Sequence, residues 1–285
     1  MTPPQSPAAR DLHIVDRLIE ERAGRLARNP LLWGLIRTLL YPLLGYPKAI
    51  DMANALSSLE GRQALQHVTD LLELHLEVTG IEHIPASGAC IVVANHPSGI
   101  ADGIALHDAL SHRRDDLMLF ANRDALRVAP GLRDVVIPVE WVRKKRTRER
   151  TRETIDAMRQ AFADARAVIL FPSGRIAVRH GRQIVEHPWE PTAVTLARKY
   201  DAPIVPVHIR SRASALFYLF RRVSDELRDI TVFHEILSKK GASMDLTIGA
   251  PIPAAALRGK AVDAVAELQR FVEQDLPRGK ASIST

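Results

Sequence analysis

Seven short runs of strand-forming residues, separated by helical stretches, set the tightest limit on how this chain can fold. They are Leu76-Glu77-Val78-Thr79, Cys90-Ile91-Val92-Val93-Ala94, Leu117-Met118-Leu119-Phe120, Val135-Val136-Ile137, Ala167-Val168-Ile169-Leu170-Phe171, Ile204-Val205-Pro206-Val207-His208-Ile209 and Leu246-Thr247-Ile248. The clearest helical stretches between them run over 150–165 and 192–199, and alternation of this kind implies a substantially parallel sheet covered by helices. Before residue 76 the chain reads as helical throughout, with Ile14, Leu18 and Ile19 on one face, then residues 31–44, then 53–74. The expected architecture is therefore α/β, a largely parallel central sheet flanked by helices, with an N-terminal helical region at 1–75 and the α/β domain at 76–285. In such sheets functional residues gather at the carboxyl ends of the strands.

At 285 residues the chain can bury a full core, and 46% hydrophobic with 25% charged residues excludes both a disordered chain and a multi-span membrane protein. A net charge of +6 calls for an anionic partner: acidic lipid headgroups, nucleic acid or a phosphate-bearing cosubstrate. Cys90 is the sole cysteine, and the start of the chain lacks the charged and apolar regions of a signal peptide, so a cytoplasmic protein is expected. The most apolar stretch, residues 30–46, is broken by Arg37 and Pro42 before it reaches the roughly 20 apolar residues of a membrane span. Trp33, Tyr41 and Tyr46, beside Arg22, Arg25 and Arg28, give it the composition of an element lying in the headgroup layer; a helix packed on the α/β domain is the alternative.

The strand Ile91–Ala94 runs straight into Asn95-His96-Pro97-Ser98-Gly99, which puts His96 at a strand's carboxyl end in a turn punctuated by Pro and Gly. Helical sequence resumes near Gly103, leaving Asp102 at the helix start and close enough to fold back on the imidazole. Such a pair can take a proton from a hydroxyl or amine, the carboxylate fixing the tautomer and steadying the imidazolium. The alternative is a loop histidine and an Asp that only caps a helix.

The segments 95–103, Phe171-Pro172-Ser173-Gly174-Arg175 and Pro203-Ile204-Val205-Pro206-Val207, in this order and at these separations, resemble the glycerolipid acyltransferase superfamily, whose familiar members acylate lysophosphatidic acid. The resemblance extends from about Leu76 to Pro253, and residues 78–85 are similar to the strand and turn that lead into the family's catalytic block. It implies that His96 is the base and Asp102 orients it. The acceptor then attacks the thioester of acyl-CoA or acyl-carrier protein directly, these being cosubstrates with no cofactor required. It also makes Ser173, Gly174 and Arg175, with Arg143 where a second block usually ends, candidate acceptor-binding residues. Backbone N–H groups of the turn or helix start after His96 are candidate oxyanion donors. Two departures stand out. Five residues separate His96 from Asp102 where the family has four, and Ser173 stands where the family's Phe-Pro-Glu-Gly-Thr-Arg block has its carboxylate, with the Arg one place earlier. An Arg there suits a phosphate or carboxylate.

The remaining features carry less. Cys90 reads as core. The basic run 143–152 suits anionic lipid, coenzyme A phosphates, an acidic carrier protein or RNA. No His-x-His or His-Glu-x-x-His element is present, so no metal is expected. The expected activity is O-acylation of a lysolipid, either 1-acylglycerol-3-phosphate or a related lysolipid with an amino-acid headgroup. The expected setting is the inner face of the membrane, as a cytoplasmic peripheral protein on anionic lipid, with an acyl donor and a carrier protein as candidate partners and nucleic acid not expected. A hydrolase that activates water with the same pair, or a non-catalytic lipid- or nucleic-acid-binding protein, is the competing reading.

Overall fold

The computed structural model describes residues 12–142, 145–181 and 183–280. Its strands are β1 (His75–Thr79), β2 (Cys90–Ala94), β3 (Leu117–Asn122), β4 (Val136–Val139), β5 (Ala167–Leu170), β6 (Val178–His180), β7 (Gln183–Val185), β8 (Ile204–Arg210) and β9 (Ser243–Ile248). All but β6 and β7 join one sheet in the order β1-β9-β8-β2-β5-β3-β4, and each of the seven strand-forming runs supplies one of its strands. Every pairing in it is parallel except β8 with β9, so the sheet is largely parallel with its β1–β9 edge reversed. β6 and β7 form a separate antiparallel hairpin between β5 and β8, which the sequence pattern does not reveal.

Side chains alternate across the pleat. Cys90, Val92 and Ala94 enter one core while Ile91 and Val93 enter the other, as period two requires of a strand covered on both faces. The first face is covered by α1 (Ile14–Arg22), α2 (Pro30–Leu43), α3 (Tyr46–Leu56), α4 (Gly61–Leu72), α5 (Ile100–Ser111) and, later in the chain, Phe233 and Ile236. Beyond α6 (Asp124–Val128), α7 (Arg148–Ala163) and α8 (Thr192–Tyr200) cover the second face. α9 (Ala215–Val223), α10 (Asp225–Asp229) and α11 (Val232–Leu237) then return to the first, and α12 (Ala261–Arg270) closes the second. The N-terminal helices thus share one continuous core with the sheet.

In α2, Asn29 caps the N-terminus by accepting the Leu32 N–H at 3.1 Å, and Pro30 occupies the first turn, where its missing N–H costs nothing. Which face points outward differs from the composition-based expectation. Trp33 and Tyr41 are buried against the protein, Trp33 donating its indole N–H to Glu20 at 3.2 Å and Tyr41 stacking on Tyr46 at 4.4 Å. Both aromatics have intramolecular partners, and the solvent face is instead leucine: Leu31 (88% exposed), Leu32, Leu35, Leu39 and Leu43. No helix among the described residues is long and apolar enough to cross a membrane.

Candidate active site

The parallel strands point their carboxyl ends to one edge of the sheet, and His96 sits there just past β2. Asn95 straps this strand end to β8, accepting the Ile209 N–H at 2.7 Å and donating to the Ile209 carbonyl at 2.9 Å. His96 is then held on every side. Its N–H donates to the Glu186 carboxylate at 2.5 Å, its carbonyl accepts the Ala177 N–H at 2.9 Å, and its ring stacks on Phe171 with centroids 4.2 Å apart.

Nδ1 of His96 lies 3.0 Å from Oδ2 of Asp102, a carboxylate that is fully buried. Asp102 occupies the first turn of α5, where it also accepts the Ser98 and Gly99 N–H groups at 2.8 and 2.9 Å and the Ser98 hydroxyl at 2.5 Å. It is therefore both a helix-capping residue and the partner of the imidazole; the two readings of Asp102 hold together. The lengthened link is absorbed at Gly99, with φ 92° and ψ −138°. A side chain is disfavoured at that conformation, and a Cβ there would lie 2.8 Å from the Ile176 side chain. With Nδ1 committed, Nε2 is the nitrogen left to exchange a proton with substrate. Of the backbone N–H groups in the turn after His96, where oxyanion donors were expected, those of Ser98 and Gly99 are spent on Asp102, because a buried carboxylate must satisfy its lone pairs.

A cavity of about 360 Å³ opens beside His96. It is lined by Phe171, Trp141, Ile100, Ile176 and Arg175 and by an apolar wall of Leu18, Met52, Leu56, Leu65, Val68 and Phe233 from the N-terminal helices and α11; its polar lining includes Asn122 and Arg22 paired with Asp124 at 2.7 Å. Such a space, mainly apolar and reaching an imidazole, fits an alkyl chain whose reactive carbon stops at His96.

The 171–175 turn explains its glycine: Gly174 has φ +60°, and a Cβ would sit 2.4 Å from the Trp141 ring. Gly174 and Arg175 line the cavity. Ser173 turns the other way, buried, where its hydroxyl donates to the Arg175 carbonyl at 3.0 Å and meets Glu186. Arg143 lies outside the described residues. Of the basic run, Arg150 pairs with Glu140 at 2.8 Å and Lys145 with Glu21 at 2.7 Å, while Arg148 and Arg152 stand exposed on α7. Cys90 is fully buried in the core, and burial pushes its thiol up to about 11, far from the thiolate a nucleophile needs.

Glu186 is the site residue that sequence reasoning missed. It directly follows the β6–β7 hairpin, is 8% exposed, and burial pushes its carboxyl above the usual range against the opposing pull of the His96 N–H and Ser173. It supplies a carboxylate beside the very position where Ser173 lacks one. That missing charge was the available signal, but nothing in the chain pointed to the hairpin that restores it. Among the described residues no group of three His, Cys, Asp or Glu side chains converges as metal ligands.

Residues 75–210 match the family model described as Acyltransferase. The chain is similar over 199 residues to two proteins named lyso-glycine lipid O-acyltransferase. That from Phocaeicola vulgatus is 29% identical, covering 68% of this chain and 70% of its own length; that from Bacteroides thetaiotaomicron is 27% identical, covering 68% and 71%. Among solved structures, the 1-acyl-sn-glycerophosphate acyltransferase of Thermotoga maritima aligns over 93% of this chain and 100% of its own, with 16% identity and a TM-score of 0.48.

Proposed function

We propose that the chain, whose residues 75–210 match the Acyltransferase family model, is a member of the glycerolipid acyltransferase superfamily that transfers a fatty acyl group from a thioester donor to the hydroxyl of a lysolipid. The observation that carries this is the His96–Asp102 pair, 3.0 Å apart, with His96 lining a mainly apolar cavity. Nε2 of His96 takes the acceptor's hydroxyl proton as its oxygen attacks the thioester carbonyl. The tetrahedral intermediate collapses with loss of the thiolate, which recovers the proton from the imidazolium. No covalent enzyme intermediate is required, and the absence of a usable thiol at Cys90 fits that route.

The acceptor is a lysolipid with an amino-acid headgroup, and lysophosphatidate is the second choice. Support comes from the names of the two relatives and from Arg175, which lines the cavity. Arg175 suits the headgroup's carboxylate bidentately. The enzyme works as a peripheral protein on the inner face of the membrane, its contact being the leucine face of α2 flanked in sequence by Arg28 and Lys48. The donor is acyl-CoA or acyl-carrier protein.

The test supplies radiolabelled acyl-CoA, or acyl-carrier protein, with a panel of lysolipids bearing glycine or phosphate headgroups. Acceptor-dependent lipid product is expected, the glycine lysolipid preferred. Release of free fatty acid alone would indicate a hydrolase, and no turnover with any acceptor would leave a binding protein.

A further inference from the structure

A second concavity opens at the end of β8, which flanks β2 on the side opposite β5. In the sheet order β2 is flanked by β5 on one side and β8 on the other. The apolar cavity takes its walls from the ends of β5 and β3, whereas a groove of about 830 Å³ is lined by Arg210, Arg212, Arg179, Tyr218 and Lys239, at the end of β8 and the elements around it. The strap from Asn95 to Ile209 puts Arg210 one residue beyond the anchor of the catalytic turn. The Ala177 N–H, two residues before the groove's Arg179, donates to the His96 carbonyl at 2.9 Å, a second link between the groove and the catalytic turn.

The groove is built for negative charge. Among the described residues no carboxylate pairs with Arg179 or Arg212, and Arg210 reaches only Asp245 at 3.6 Å, a contact on the surface. Lys239 is unusual for a lysine in being 7% exposed, and its ammonium donates to the Arg212 carbonyl at 2.5 Å, which also fixes the backbone of that arginine. An ammonium carries three donors and this one has a single acceptor, so it retains capacity for an anion. The buried carboxylate beneath the groove, Glu235, is taken up by the Ser214 N–H and hydroxyl.

Granting the acyltransferase reading above, we infer that this groove holds the phosphate of the donor's phosphopantetheine arm. The thioester then straddles His96, with the acyl chain in the apolar cavity on one side and the arm leading to the arginines on the other. Coenzyme A carries this phosphate in a diphosphate bridge to its nucleotide and a carrier protein carries it in a phosphodiester to serine; the pantetheine 4′-phosphate is common to both, so the groove serves either source.

Calorimetry on the full chain tests this with pantetheine, 4′-phosphopantetheine, coenzyme A and holo-carrier protein. Phosphopantetheine should bind at least about tenfold more tightly than pantetheine, and Arg210→Ala/Arg212→Ala should erase the difference. A further gain with coenzyme A, absent for the carrier protein, would identify the nucleotide as the source of the phosphate in use; a gain with the carrier protein alone would identify the other. Equal affinity for pantetheine and phosphopantetheine, or unchanged affinity in the double variant, would overturn the assignment. Transfer from an acyl-N-acetylcysteamine thioester, which bears no phosphate, should persist in the double variant. Its absence from the unaltered protein would count against the acyltransferase reading and leave the groove to be judged on binding alone.

Discussion

Replacing Asp102 by Asn separates its two duties. Its Oδ2 accepts from His96 Nδ1, the Ser98 N–H and the Gly99 N–H, and its Oδ1 accepts the Ser98 hydroxyl. An asparagine oxygen turned toward Oδ2's place keeps the backbone bonds, and its amide can donate to the rotatable Ser98 hydroxyl, so the turn and the start of α5 survive. What is lost is the charge that steadies the imidazolium. At an effective dielectric near 20, two unit charges about 4 Å apart interact by about 4 kcal/mol. The neutral hydrogen bond that remains returns about 1 kcal/mol. A loss of about 2–4 kcal/mol lowers kcat by roughly 30- to 1,000-fold, with KM for the acceptor little changed because the effect falls on the transition state. Asp102→Ala, in contrast, strips the acceptor from buried donors at about 1–3 kcal/mol each. Even with water repairing part of this, it should cost about 3 kcal/mol and lower Tm by roughly 6–12 °C. Steady-state acyl transfer and thermal melts on both variants check the split. An Asp102→Asn enzyme within about threefold of the parent kcat would refute the charge argument, and one that melts with Asp102→Ala would refute the retained cap.

Two further outcomes follow from burial. The double change Leu35→Gln/Leu39→Gln, on the exposed face of α2, should weaken sedimentation with anionic liposomes and leave Tm nearly unchanged, whereas Trp33→Gln, at a buried position, should cost about 3 kcal/mol of stability or more; the opposite ordering would return the aromatics to the bilayer. Burial also holds the His107 imidazole down at about 4, with the Arg62 charge adding to it. The unfolded chain takes up that proton near pH 6.5, so it binds more protons than the native state between the two values, and stability falls as pH drops through the window. Denaturant unfolding should show about 2 kcal/mol less stability at pH 5 than at pH 8 from this residue, a difference that disappears in His107→Leu.

Much of this molecule was legible in its residues, for reasons that differ by element. The central strands announced themselves because strands buried on both faces must be apolar and β-branched, as Ile91, Val92 and Val93 are, whereas the edge strand β1 and its neighbour β9 showed as short alternating runs. The reversal of β9 had no such mark, since a connection running over three helices is spelled the same way whether the next strand enters parallel or antiparallel. The hairpin of β6 and β7 escaped because its strands are three residues long and almost wholly exposed, with no apolar face to set a period. Glu186 went with it: a lone glutamate after an undetected hairpin looks like surface until the fold folds it under His96. The tryptophan of α2 misled in the other direction, for composition says that aromatics and leucines are present but not which of them faces the protein. His96 and Asp102 were readable because a strand end, a Pro-Gly turn and a helix start leave two side chains few places to go.

Acyl transfer by this mechanism requires His96 to act as the base. The most direct measurement is acceptor-dependent acyl transfer by purified His96→Ala beside the unaltered protein, with Tm and circular dichroism recorded on the same samples. The prediction is a rate lower by about 10²–10⁴-fold at preserved fold; a correctly folded His96→Ala protein that transfers acyl groups at the parent rate would contradict it.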